Sequence, residues 1–127
     1  MTIEIERRFL VRGACRYIEA GAASQIHIVQ GYFGRVDQLR VRVRIAWDEN
    51  ERARAFLTFK GSRQGICRQE FEYPIAIERA DRALRTLSPE HIIRKKRYFV
   101  PGSNNLTWSI DYFEGRNNGL VIAEIEL

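Results

Sequence analysis

Cysteine, histidine and lysine are all scarce in this chain, and it has no long apolar run. The two cysteines, Cys15 and Cys67, lie far apart and form no CxxC pair or Cys/His cluster, so neither a disulfide framework nor a zinc site is indicated. Two idle thiols in a reducing compartment are expected. His27 and His91 stand alone, away from any paired ligand or nucleophile, and receive no role. Gly61-Ser62-Arg63-Gln64-Gly65 lacks the GK[ST] ending of a phosphate-cradling loop and reads as a hairpin turn, as does Gly115 to Gly119. No segment approaches the ~18 apolar residues of a membrane helix, and residues 1–7 bear charge where a secretion signal needs an apolar stretch. The expected location is the cytoplasm, with no membrane partner.

The shortage of lysine has a positive side. Three lysines stand against 18 arginines, a bias toward the planar fork that binds phosphate in bidentate fashion. A net charge of +5 and a pI near 9.6 favour an anionic partner without choosing among phosphates, nucleic acid and an acidic surface. The 127 residues suit one domain, 1–127, because two independent cores of about 60 residues each would sit near the lower limit of autonomous folding. An apolar content of 45% is enough to build a core.

Strand-like runs cover 2–11, 26–33, 39–47, 53–60, 66–77, 92–100, 106–113 and 119–127. Residues 78–87 place Ala80, Ala83, Leu84 and Leu87 on one helical face with Pro89 as a stop, and 12–24 reads as a short helix. Turn residues between the strands favour consecutive antiparallel pairing. The expected fold is mainly β (α+β): one eight-stranded antiparallel barrel or tunnel with a few outer helices.

Alternate side chains on a strand point to opposite faces, and nearly every strand here has a charged stripe. Glu4, Glu6 and Arg8 share one face; so do Arg40, Arg42 and Arg44, with Leu39, Val41, Val43 and Ile45 on the other. Lys60 ends the fourth strand, and Glu70 with Glu72, Lys95 with Arg97, Asp111, and Glu124 with Glu126 continue the pattern. Two readings stand at this point. In the first, the stripes are solvated around an apolar interior. In the second they face a common lumen, where unpaired ions cost several kcal/mol each in desolvation unless a ligand satisfies both signs. A triphosphate with divalent metal is such a ligand. The aromatics Phe33, Trp47, Phe59, Tyr73, Phe99 and Trp108 are expected mostly in exterior cores beneath helices.

The segment Glu4-Ile5-Glu6-Arg7-Arg8 resembles the ExExK signature that opens CYTH domains of the triphosphate tunnel metalloenzymes. The resemblance continues in order through Gln30-Gly31-Tyr32, Val41-Arg42-Val43-Arg44, Leu57-Thr58-Phe59-Lys60-Gly61, Glu70-Phe71-Glu72-Tyr73, Lys95-Lys96-Arg97-Tyr98, Ile110-Asp111-Tyr112-Phe113 and Leu120 to Leu127, and so spans the chain. It implies inward-facing stripes and divalent-metal-dependent hydrolysis of inorganic triphosphate or a related triphosphate, with Mg²⁺ or Mn²⁺ as cofactor. Metal falls to Glu4, Glu6, Glu124 and Glu126. The triphosphate falls to Arg8, Arg42, Arg44, Lys60, Lys95 and Arg97, while Glu70, Glu72, Asp111 and Lys95 take catalytic roles. Arg40 is assigned to the lumen or its rim.

There are two departures from the family pattern. Arg8 replaces lysine, keeping the charge but excluding a neutral amine, and the family's usual segment beyond the last strand has no counterpart here, which implies one more open mouth. The rival readings are a class IV-type adenylate cyclase and a non-catalytic polyphosphate- or nucleotide-binding module. The acidic stripes argue against nucleic acid as partner, and a monomer or homodimer is expected.

Overall fold

The structure is a computed structural model and describes residues 2–13, 18, 21 and 23–127. Eight strands form the body: β1 (Thr2–Leu10), β2 (Ser24–Val36), β3 (Leu39–Trp47), β4 (Ala53–Lys60), β5 (Cys67–Ile75), β6 (Ile92–Pro101), β7 (Thr107–Phe113) and β8 (Val121–Glu126). One helix, α1 (Ile77–Leu84), lies between β5 and β6. The helix expected over 12–24, with Cys15, falls largely outside the described residues. Cys67 is a free, exposed thiol.

The strands close into an antiparallel barrel in the order β1-β5-β4-β3-β2-β6-β7-β8. Consecutive pairing holds from β2 to β5 and from β6 to β8, but fails twice. β1 pairs with β5 and β8 instead of β2, and β2 pairs with β6. The reason is length: residues 11–23 and 76–91 are too long for hairpin turns, and each carries the chain across to a non-adjacent strand.

The usual polarity of a small barrel is inverted. Register places Val41, Val43 and Ile45 of β3 outward beside Phe59, Leu57 and Ala55 of β4, while Arg40, Arg42 and Arg44 point inward. The outward face becomes a core because α1 covers it: Ala80 and Leu84 are buried against Val29, Val43, Ile45 and Ala55, with Ala83, Leu87 and Trp47 packed at the edge. Apolar residues at helical spacing give α1 this single sticky face. Its ends suit the helix dipole, with Glu78 in the first turn and Arg82 in the last. A second outer core joins Val100, Ile110 and Ala123 to Trp108, Tyr112, Val11 and Ile18. Among the aromatics, Trp47 and Trp108 meet the expectation. Phe99 does not: it pairs with Ser109 on the inward face and lines the lumen. Phe33 and Tyr73 are exposed.

Gly31 sits outward on β2, beneath the end of this helical segment. A Cβ there would drive into Leu87 and crowd Leu84. Gly31→Ala is therefore expected to lower the unfolding free energy by about 1–3 kcal/mol through overpacking, with an unchanged denaturant slope in urea titrations.

Candidate active site in the barrel lumen

The closed strand order brings the acidic strands together. β8, β1 and β5 are neighbours, and Glu124, Glu126, Glu4, Glu6, Glu70 and Glu72 all line one cavity of about 710 Å³. Lys60 on β4, Arg40, Arg42 and Arg44 on β3, and Lys95 and Arg97 on β6 line its other side. Two opposed arcs of charge thus face each other across a space of ligand size. Arg8 and Arg68 are the cations within the acidic arc. Asp111, on β7, is the carboxylate set against the basic one.

Ion pairs tie the arcs together. Lys60 Nζ donates to Glu4 Oε2 at 2.9 Å, and Arg63 Nη2 to Glu6 Oε1 at 2.9 Å. Arg8 spans Glu6 and Glu124, each at 3.4 Å. Asp111, only 1% exposed, accepts from Lys95 Nζ at 2.6 Å and from Arg97 Nε and Nη2 at 2.7 and 2.9 Å. Arg44 Nε donates to Gln30 Oε1 at 2.7 Å. Arg42 Nη2 reaches Thr58 Oγ1 at 3.4 Å, and that hydroxyl donates to Glu72 Oε2 at 3.2 Å. Three buried polar atoms have no partner among the described residues: Glu4 Oε1, Arg42 Nε and Arg68 Nε. Buried polar groups are normally satisfied, so these atoms mark a site built for something else.

The titration of the lumen follows from its crowding. Burial raises Glu70, the hydrogen bond it shares with Glu4 raises it further, and the result is a pKa of about 7. Burial also pushes Glu4 upward, but the hydrogen bond from Glu70 and the Lys60 ammonium outweigh this and hold it at about 2. Glu6 and Glu124 form a second such pair. Burial, then the hydrogen bond and charge of Glu124, lift Glu6 to about 6; Glu124 is lowered, its burial overcome by Glu6, Arg8 and Arg97. Burial brings Lys95 down to about 8, helped by Arg97 and Arg44 against the opposing pull of Asp111. Arg44 falls to about 9 through burial and the neighbouring Arg42 and Arg97. The basic arc is thus held against self-repulsion that an anion would relieve.

Every residue that the sequence assigned to the site lies in or directly beneath the lumen, but not all on equal terms. Glu72 and Glu126 are exposed, whereas Asp111 is sealed under Lys95 and Arg97. Among the described residues, no group of three or more His, Cys, Asp or Glu is arranged as a ready metal cage. The carboxylates meet in pairs. Three residues in or beside the lumen were missed: Arg68 and Tyr32, which line it, and Arg63, which reaches Glu6 from its edge. Arg68 is in phase with Glu70 and Glu72 and could have been found by extending that alternation backward; Tyr32, inside the Gln30-Gly31-Tyr32 match, faces Arg42 across the sheet. Arg63 lies in the loop between β4 and β5, where no alternation applies. His27, set aside from the sequence, makes a 2.8 Å contact with Glu114 and stacks near Trp47.

With this geometry in hand, comparison with known proteins is decisive. The CYTH domain profile matches residues 2–127. The chain belongs to the CYTH domain family. An inorganic triphosphatase of Acetivibrio thermocellus is 39% identical over 125 residues, covering 98% of this chain and 74% of that protein. The solved structure of the inorganic triphosphatase NE1496 aligns with a TM-score of 0.62 at 24% identity, over 100% of this chain and 75% of that one. The PH1819 protein of Pyrococcus horikoshii aligns at 0.67 and 22% identity, over 98% and 77%. At such identities these two speak for the fold alone.

This CYTH lumen should report on itself through pH. Glu70, with its pKa raised to about 7 from an unfolded value near 4.5, binds a proton in the native state that the unfolded chain has released. Metal-free stability should therefore fall as pH rises through that window, and Glu6, at about 6, adds to the fall. Glu4 acts oppositely, its contribution being lost only as pH drops from 4.5 toward 2. Glu70→Gln is expected to flatten the decline in Tm between pH 5 and 8, as measured by calorimetry in chelator. An unchanged slope would remove Glu70 as its source.

Proposed function

We propose that this chain hydrolyses inorganic triphosphate, or a closely related triphosphate, within the lumen in the presence of Mg²⁺ or Mn²⁺. The observation that supports this most is the pair of opposed charge arcs: a basic wall suited to phosphate oxygens and an acidic wall suited to a hard cation. The relative from Acetivibrio thermocellus named as an inorganic triphosphatase points the same way.

The residues present fit a divalent ion. The donor set is all carboxylate oxygen, as Mg²⁺ and Mn²⁺ prefer, and the buried, unpartnered Glu4 Oε1 offers a free ligand atom. Glu4, Glu6 and Glu124 would hold the ion, with Glu126 beside them. When bound, it neutralises charge on the phosphate oxygens.

The remaining steps fall to the chain's own side chains. Arg8, Arg42, Arg44, Lys60 and Arg97 bind and orient the triphosphate, and their fixed charge meets the charge of the transferring phosphoryl without reorganisation. Glu70, with a pKa of about 7, accepts a proton from the attacking water with help from Glu72 at the mouth. Lys95 Nζ, at about 8, gives its proton to the leaving phosphate oxygen as the phosphoanhydride bond breaks. Asp111 positions Lys95 and Arg97 through its three short hydrogen bonds. The acidic wall also favours a small substrate over a nucleic-acid backbone, which it would repel.

The test is phosphate release from inorganic triphosphate, ATP and thiamine triphosphate, each with Mg²⁺, with Mn²⁺ and with chelator. Release from inorganic triphosphate that chelator abolishes is the expected result. Tight triphosphate binding without release under any condition would make the chain a binding module instead.

A further inference from the structure

Thr58 is a hydroxyl sealed in the wall of the charged lumen, at 0% exposed. Register fixes its place. On β4 it stands directly opposite Arg42 of β3 and Glu72 of β5, so one row across the barrel reads Arg42, Thr58, Glu72. β4 is thus the seam where the basic arc meets the acidic one, and its other inward residues close that seam differently. Lys60, between Arg40 and Glu70, does so with its own charge, and Phe56, between Arg44 and Pro74, with apolar bulk. Among these three rows, only at Thr58 does an arginine face a carboxylate across a small neutral side chain.

The three groups form a triangle. Arg42 Nη2 lies 3.4 Å from Thr58 Oγ1, that oxygen lies 3.2 Å from Glu72 Oε2, and the two charged atoms are 3.9 Å apart. The hydroxyl accepts from the guanidinium and gives its one proton to the carboxylate. A direct arginine–carboxylate contact closes to about 2.8 Å, so the hydroxyl stands in a gap that the two charges would otherwise close. Both of its hydrogen bonds are long, and their net worth to stability is correspondingly small. Their effect is on direction. Nη2 of Arg42 is tied to the wall, while its Nε is buried with no partner among the described residues. Arg42 and Glu72 both line the cavity, and Thr58 lies behind them.

We propose that Thr58 is a positioning residue, whose hydroxyl holds Arg42 off Glu72 and so keeps the guanidinium free for a phosphate oxygen. This rests on the lumen reading above and adds to it a residue that touches no substrate. Without the hydroxyl, Arg42 turns onto Glu72, and the two arcs neutralise each other at the point where they come together. The anion then has to break an ion pair before it can bind.

The experiment is a double-mutant cycle read by calorimetric binding of inorganic triphosphate in chelator, where metal-dependent turnover is stopped. Thr58→Val keeps nearly the shape of the side chain and removes the hydroxyl. It should weaken triphosphate binding about tenfold, the equivalent of one hydrogen-bonded contact. Thr58→Ser, which keeps the hydroxyl, should stay within about twofold of the parent. In a Glu72→Gln background the arginine has no anion to turn onto, so adding Thr58→Val should change affinity less than about twofold relative to Glu72→Gln alone. The comparison is made within each background because losing a negative charge at position 72 itself favours an anion. Circular dichroism checks that each variant folds, and Thr58→Ala takes the place of Thr58→Val if the latter does not. An equal loss in both backgrounds would mean that Thr58 only shapes the wall. That result, an unweakened Thr58→Val, or a Thr58→Ser as weak as Thr58→Val overturns the positioning role alone. If triphosphate fails to bind the parent, the lumen reading falls and takes Thr58 with it.

Discussion

Asp111→Ala is expected to destabilise the barrel by about 3–5 kcal/mol, the range for removing one partner from a buried ion pair. Asp111 is 1% exposed, and the two cations it satisfies are nearly as enclosed, with Lys95 at 5%. Without it, two positive charges remain beside Arg44, whose own charge is already disfavoured by burial and by Arg42 and Arg97. Against a total domain stability of about 5–15 kcal/mol this is a large fraction. Lys95 has an escape that Arg97 lacks, because it can give up its proton. Its pKa in the parent, about 8, should drop further once Asp111 is gone. At a pH between the lowered value and 8, only the parent keeps the proton, so the variant gains stability relative to it and the deficit should narrow as pH rises toward 8. Urea titrations at pH 6 and pH 8 measure both effects. Asp111→Asn keeps an oxygen acceptor and should lose less. A deficit under about 1 kcal/mol at both pH values would show that the lumen floor does not depend on this triad.

The local geometry of the strands was legible from alternation. The runs 39–47 and 53–60 coincide with β3 and β4, and the stripes they predicted are the lumen-facing residues. Alternation does not say which face is inside, however. That came from the resemblance, and the physical reason appears only in the fold: α1 covers the apolar face, so the apolar side chains need no interior. Strand order was the harder miss. Reading consecutive hairpins around a closed barrel puts β1 between β2 and β8 and leaves β5 away from both, whereas the observed order puts β1 between β5 and β8 and brings Glu70 and Glu72 to the other carboxylates. The Glu4–Glu70 pair depends on that long-range choice, which no local pattern encodes, while the Glu6–Glu124 pair needs only the closure of the first strand on the last. Arg68 had a local signal in its phase with Glu70; Arg63, in a loop, had none.

Those shared-proton pairs lead to the second large effect. Glu6→Gln keeps the shape of the side chain and removes one negative charge from the acidic wall. In the metal-free protein that charge is unwelcome, since burial and Glu124 raise Glu6 to about 6, so at neutral pH most of it is ionised at a cost. The substitution should therefore raise metal-free Tm at pH 7.5 and leave Tm nearly unchanged at about pH 3, below both the unfolded value near 4.5 and the folded value of about 6, where Glu6 is protonated in both states. Its effect on turnover should be opposite in sign. A carboxylate lost from a metal site removes affinity and charge neutralisation together, and since even supporting residues around such sites are worth about 10–100-fold, divalent-dependent phosphate release should drop at least about a hundredfold. Glu78→Gln, on the exposed side of α1, should do neither. The opposed signs are what make the result diagnostic, because a residue that served only the fold would lose stability and activity together. If Glu6→Gln leaves release at the parent level, Glu6 does not hold the metal, and the ion must be sought among Glu4, Glu70 and Glu124.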